Sequence, residues 1–176
     1  MTAPAEEIFE PLVREHEEMV EVFALHQEAL LVQDMALALE AYDLWADRLR
    51  FHIQLENRLV LPLLVPLDAE AQWPSRVYYA EHERLLRLVD KQRRRLAATA
   101  DAPSRRQVIA LLDRENTLKH VGEHHELREE EALFPLLLDR IAKDELGAAA
   151  AEIVAAVAEL DRGQRSARER LANALA

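Results

Sequence analysis

Apolar residues recur along this chain at intervals of three, four and seven, with charged residues between them, through long runs that contain almost no glycine. That period belongs to helices burying one face. A first helix is expected from about Ala5 to Gln33, with Leu12, Val13, His16, Met19, Val20, Phe23 and Leu30 on its inner stripe and Pro11 as a break or restart near its beginning. A second runs from about Asp34 to Leu64, ended by Pro62 and Pro66, and places Trp45, Leu49, His52, Leu55, Leu59, Val60 and Leu63 on one face. The linker LDAEAQWP leads through Pro74 to a third helix, which carries Tyr78, Tyr79, His82, Leu85, Leu86, Val89 and Leu96 inward and fades near Thr99. Asp101 is the expected N-cap, with Pro103 in the first turn, of a fourth helix reaching about Ala142. Leu111, Leu118, Val121, Gly122, His125, Ala132, Leu133 and Leu136 share its inner face. A fifth, from about Asp144 to Leu175, has Leu146, Ile153, Val154, Val157 and Leu160 on one side and Gly163 as its weak point. Short connections between long helices imply antiparallel neighbours. The expectation is an all-α fold: an antiparallel four-helix up-down bundle over residues 1–142, with an additional C-terminal helix over 143–176 that covers the bundle or forms a homodimer contact.

The pattern also repeats. REHEEMVEVF around His16 resembles AEHERLLRLV around His82, and FHIQLENRLVLP matches HELREEEALFP: His52 precedes Glu56, and His125 precedes Glu129, by four positions, with Pro62 and Pro135 six positions beyond each glutamate. Residues four apart on a helix lie about 40° from one another, so each His–Glu pair faces one way, inside an apolar stripe. A lone buried histidine is ordinarily a hydrogen-bonded core residue, but a buried glutamate is expensive unless it is paired or bound to a cation.

Chemistry explains why these residues belong together. Four imidazoles (His16, His52, His82, His125) and two carboxylates (Glu56, Glu129) gathered in one apolar interior need strong compensation, and two metal ions supply it. The expected division is His16 with His52 on one ion and His82 with His125 on the other, with both glutamates bridging. With no cysteine in the chain, the donors are nitrogen and oxygen, which suit iron, manganese or zinc; bridging carboxylates in a bundle favour iron. An oxo or hydroxo bridge, water or an exogenous ligand would complete the coordination, and the open positions are where reactivity lies. The net charge of −11 gives no nucleic-acid footprint, and the arginine run at 93–95 reads as a solvated helix face. Neither a signal peptide nor a membrane span is visible, so a cytoplasmic protein without a membrane partner is expected.

His16, His52 with Glu56, His82, and His125 with Glu129, spread over roughly residues 8–140, resemble the ligand pattern of the hemerythrin-like (HHE cation-binding) family. The resemblance implies a non-haem di-iron centre in a four-helix bundle. Oxygen-carrying hemerythrins have a second histidine one turn along helix three, where this chain has Leu86, and a His-to-Asp spacing of five on helix four, where it has glutamate at four. The pattern is closer to relatives implicated in iron sensing, repair of iron centres under nitrosative stress, or peroxide handling. The repair proteins usually carry a cysteine-containing N-terminal domain, which this sequence lacks. The expected function is binding of, or catalase-like or oxidoreductase reaction with, a small oxidant such as oxygen, hydrogen peroxide or nitric oxide. The alternatives are a non-catalytic iron or redox sensor or iron donor, and a structural zinc-binding bundle.

Outside this set, His26, His120 and His124 are expected at the surface, and Tyr78 and Trp45 in the core. The match of Pro135 to Pro62 selects His125 over His124 as the ligand. Glu15 and Glu81 either orient an imidazole or are solvated. Gly122, one turn before His125, either leaves room for a ligand or permits close helix packing.

Overall fold

Each apolar run forms a helix in the computed structural model, which describes residues 8–176 and, among them, no strand. The helices are α1 (Glu10–Leu31), α2 (Met35–Leu55), α3 (Leu61–Leu64), α4 (Ser75–Ala97), α5 (Arg105–Arg128), α6 (Phe134–Arg140) and α7 (Lys143–Leu175). A π turn, Glu56–Val60, joins α2 to α3 without a break, and a second, Glu129–Leu133, joins α5 to α6. The expected start of the first helix at Ala5 lies outside the described residues. Pro11 occupies the first turn of α1, where a missing N–H has no intrahelical acceptor to lose, so it opens the helix instead of breaking it.

Local chemistry sets the connections. Gln33 takes φ 62° after α1, the Asp34 N–H bonds back to the Ala29 carbonyl at 3.0 Å, and the Asp34 side chain then accepts the Leu37 N–H at 2.9 Å to cap α2. The N-cap of α5 is Ser104, not Asp101: its hydroxyl accepts from the Gln107 N–H while the Gln107 side chain accepts the Ser104 N–H at 2.8 Å. Asp101 and Pro103 belong to the loop before it. α7 passes through Gly163 uninterrupted.

Facing residues show how the helices run. His16 meets His52 and Phe23 meets Trp45 between α1 and α2, and His82 meets His125 and Gln92 meets Glu115 between α4 and α5. Asn57 meets His82 and Asp43 meets Arg93 across α2 and α4, while His26 meets Glu115 across α1 and α5. Where two contacts join the same pair the numbers rise on one helix as they fall on the other, so α1 and α2, α2 and α4, and α4 and α5 run antiparallel. Two apolar clusters fill the interior, one around Phe23, Trp45, Leu85 and Leu118, the other around Leu12, Val60, Leu64, Tyr78 and Leu137. A polar layer of histidine and glutamate lies between them. Val20 and Val154, expected on inner stripes, are at least half exposed, at 58% and 50%.

Candidate metal centre

The two π turns place the glutamates. A proline at 62 or 135 has no N–H to return to the carbonyl four residues back. The chain instead inserts one residue: the Leu61 N–H bonds to the Glu56 carbonyl and the Phe134 N–H to the Glu129 carbonyl, five back. Glu56 and Glu129 each begin such a turn and are wholly buried. The insertion also turns the following helix. Leu63 and Leu136, expected inward by simple α-helical projection, are only half-buried, and Leu64 and Leu137 take their places in the core.

His16, His52, Glu56, His82, His125 and Glu129 are all buried and converge in one layer. His16 Nε2 lies 3.2 Å from His52 Nε2, and His82 Nε2 lies 2.9 Å from His125 Nε2. Each carboxylate spans both histidine pairs. Glu56 sets Oε1 3.1 Å from His52 and Oε2 3.2 Å from His82, while Glu129 sets Oε1 3.1 Å from His125 and Oε2 3.3 Å from His16. Two overlapping groups result, His16–His52–Glu56–Glu129 and Glu56–His82–His125–Glu129, and either could hold a metal ion.

The donor set fits a cation. Separations of 2.9 to 3.3 Å match the edges of a polyhedron whose donors sit about 2.0–2.2 Å from a common ion. All four oxygens of Glu56 and Glu129 are buried without a well-aligned hydrogen-bond donor. Electrostatics agree. Burial alone would raise the Glu56 carboxyl, yet the charge of His52 and the close approach of the His125, His52 and His82 imidazoles hold it well below the usual range. Burial likewise opposes charge on His16, but the hydrogen bond and charge of Glu129, with the charges of Glu126 and Glu56, lift it to about 9. His125 is held well above its ordinary value, burial being outweighed by Glu129, Glu56 and Glu81. In the absence of a cation, protons are what balance the carboxylates.

The outer nitrogens are oriented in turn. His16 Nδ1 donates to Glu130 at 2.9 Å, His82 Nδ1 to the Asn57 side-chain oxygen at 2.8 Å, and His125 Nδ1 to Glu81 at 3.1 Å. Asn57 and Glu130 directly follow the two buried glutamates, inside the π turns, and their sequence positions did not suggest this role. Of the two expectations for Glu81, imidazole orientation is the one the geometry supports. Glu15 does neither of the things expected of it: it is buried and paired with Arg48. Tyr78 is a core residue whose hydroxyl donates to the Arg128 carbonyl at 3.4 Å. His124 and His120 are exposed, as expected.

His26 is not at the surface. It is fully buried at the far end of the same helices, donating from Nδ1 to the Ala38 carbonyl at 2.8 Å and pairing through Nε2 with Glu115 at 2.7 Å. Glu115, also fully buried, accepts further bonds from Gln92 and Gln27.

A cavity of about 170 Å³ adjoins the histidine layer. Met19, Leu49, Leu85 and Gly122 line it, each three residues from one of the four histidines and all on the same side of the layer; Phe23, Trp45 and Leu118 complete its apolar wall. A Cβ built on Gly122 would meet nothing within 4 Å, so the glycine leaves open space and is not required by close helix packing. Exposed Val20, Lys119 and Glu123 form the cavity's outer rim. Among the described residues no helix is long and apolar enough to cross a membrane.

Comparison with family models, with curated proteins and with solved structures finds no match to this chain.

Proposed function

We propose that this protein is a non-haem di-iron protein, built on an antiparallel four-helix up-down bundle, that binds or reacts with a small oxidant such as oxygen, hydrogen peroxide or nitric oxide. The observation that carries the reading is the sharing of both glutamates by two histidine pairs against an apolar cavity. The resemblance of the His16, His52–Glu56, His82 and His125–Glu129 pattern to hemerythrin-like proteins supports the same reading.

In this reading His16 and His52 would hold one iron and His82 and His125 the other, with Glu56 and Glu129 belonging to both groups. The pair of irons supplies redox chemistry and open coordination positions. The chain's own residues do the rest. Glu130, Asn57 and Glu81 fix the rings of His16, His82 and His125, aiming the Nε2 of each inward. Met19, Leu49, Leu85 and Gly122 keep the neighbouring space apolar, which admits a small uncharged molecule and disfavours ions. Glu126, at the cavity wall, is raised by burial and by the like charge of Glu129, although His16, His52 and His125 pull the other way.

Metal analysis of freshly purified protein is expected to give two irons per chain, and the iron-loaded protein is expected to bind nitric oxide or to turn over peroxide. Gly122→Leu fills the cavity and should slow ligand entry at least tenfold while both irons stay bound; Glu56→Ala should lose iron and reactivity together. Zinc instead of iron, or ligand binding indifferent to Gly122→Leu, would overturn the reading.

A further inference from the structure

The two halves of the site are made of the same residues and are nonetheless unequal. Laying the repeat on itself, 16 on 82 and 52 on 125, pairs Glu15 with Glu81, Arg48 with Val121 and Leu55 with Arg128. In the second half, Glu81 accepts the Nδ1–H of His125 and is steadied by Arg128, one turn after that histidine. In the first half the arginine sits one turn before the histidine and draws the glutamate off. Arg48 Nη2 donates to Glu15 at 2.8 Å, and its Nε lies 2.5 Å from the other carboxylate oxygen. His52 Nδ1 is buried with no partner, whereas the outer nitrogens of His16, His82 and His125 each have one. Arg48 is itself held from outside the histidine layer: Asp161 of α7 accepts from it at 2.5 Å and Gln164 at 3.4 Å.

We propose that Arg48, anchored by Asp161 of α7, makes the two metal positions inequivalent: by holding Glu15 away from His52 it leaves the His16/His52 position the weaker and later-filled one. This rests on the two-metal reading above. An imidazole whose outer N–H is bonded to a carboxylate is better oriented and a stronger donor, and removing such a partner typically weakens metal binding about 10–100-fold. His125 has that carboxylate and His52 does not. Arg48 is thus a positioning residue that acts through Glu15, and the docking of α7 is coupled to one metal position.

The test is anaerobic titration of the metal-free protein with Co²⁺, followed by visible absorption and calorimetry. The unmodified chain is expected to fill in two steps separated by about 10–100-fold. Arg48→Leu leaves the buried Glu15 carboxylate with the His52 Nδ1–H as its matching donor, the pairing the second half already makes. It should therefore tighten the weaker step about tenfold or more and turn the fast-exchanging His52 Nδ1–H resonance of the cobalt protein into a slowly exchanging one. Glu81→Gln should weaken the tighter step about 10–100-fold. Two ions bound with equal affinity by the unmodified protein would overturn the proposal without any variant. So would a folded Arg48→Leu that binds two ions with the weaker step unchanged or weakened. Saturation below two ions per chain would instead overturn the two-metal reading itself, and this proposal with it.

Discussion

At the scale of single residues, the buried polar groups of this bundle sort by what balances them. His26 and Glu115 balance each other: both histidine nitrogens are bonded, and Glu115 also accepts from Gln92 and Gln27. His26→Ala strands a buried carboxylate, so it should destabilise the protein by about 3–5 kcal/mol in denaturant unfolding while metal content per folded chain stays unchanged. The histidines of the polar layer are balanced by carboxylates that attract protons as well as cations. His16 is raised from 6.5 to about 9 in the folded chain. Its protonation therefore stabilises the metal-free fold fully below pH 6.5, and that contribution disappears as pH rises through about 9. Metal ions compete for the same nitrogens, so the stabilisation they confer must grow over the same interval. Scanning calorimetry should show the gap in melting temperature between loaded and metal-free protein widening from pH 6.5 to 9; a constant gap would contradict this assignment of protons.

At the scale of elements, the π turns decide which side chains meet. They allow Glu56 and Asn57, and likewise Glu129 and Glu130, to serve the layer while Leu64 and Leu137 still reach the core. Deleting the exposed Arg58 should restore ordinary α-helical pitch and rotate the chain on one side of the deletion by about 100° relative to the other. Either the glutamate or the Val60–Leu61–Leu64 face must then leave the interior. The expected outcome is loss of metal or a destabilisation of about 1.5–3 kcal/mol for each apolar side chain exposed, read by metal stoichiometry and denaturant unfolding. The same turns explain what was legible beforehand. The His–Glu pairs were readable because four residues is an α-helical interval and each turn begins only at the glutamate. Downstream of it, projection from the histidine ran one residue short, giving Leu63 for Leu64 and Leu136 for Leu137. His26 was lost differently. Measured from His16, ten residues away, it falls off the stripe, yet it lies seven from Met19, three from Phe23 and four from Leu30, all on the inner face by sequence. α1 packs against α2, α5 and α7, so its buried arc is wider than one stripe. Arg48 gave no sign at all, because a charged residue one turn from a histidine reads as solvated until a partner helix covers it.

At the scale of the whole molecule, α7 is attached by different forces from the rest. Over its full length only Leu146, Ile153 and Leu171 are buried. Partly buried Val157 and Leu175 and the side chain of Gln164 add to these, but most of its other ties are ionic: Asp161 to Arg48, Arg168 to Glu18, Arg170 to Glu40, and Glu152 to Arg58. Cavities of about 310 and 360 Å³ lie along its contact with α1 and α2, both reaching Arg48. The other long helices bury broad apolar faces in the two core clusters, where salt has little leverage. Most ion pairs of α7 are solvent-accessible, so each contributes about 0.2–1 kcal/mol and is screened at 1 M salt, where the Debye length is about 3 Å. α7 should therefore open as a unit, below the free energy of global unfolding. Hydrogen exchange followed by mass spectrometry is expected to show its central amides exchanging faster than those of α2 and α5, with a further acceleration of about fivefold or more in 1 M sodium chloride that α2 and α5 do not share. Uniform protection across all the helices, insensitive to salt, would mean that the three buried apolar residues alone suffice to hold α7 and that its ionic contacts contribute little.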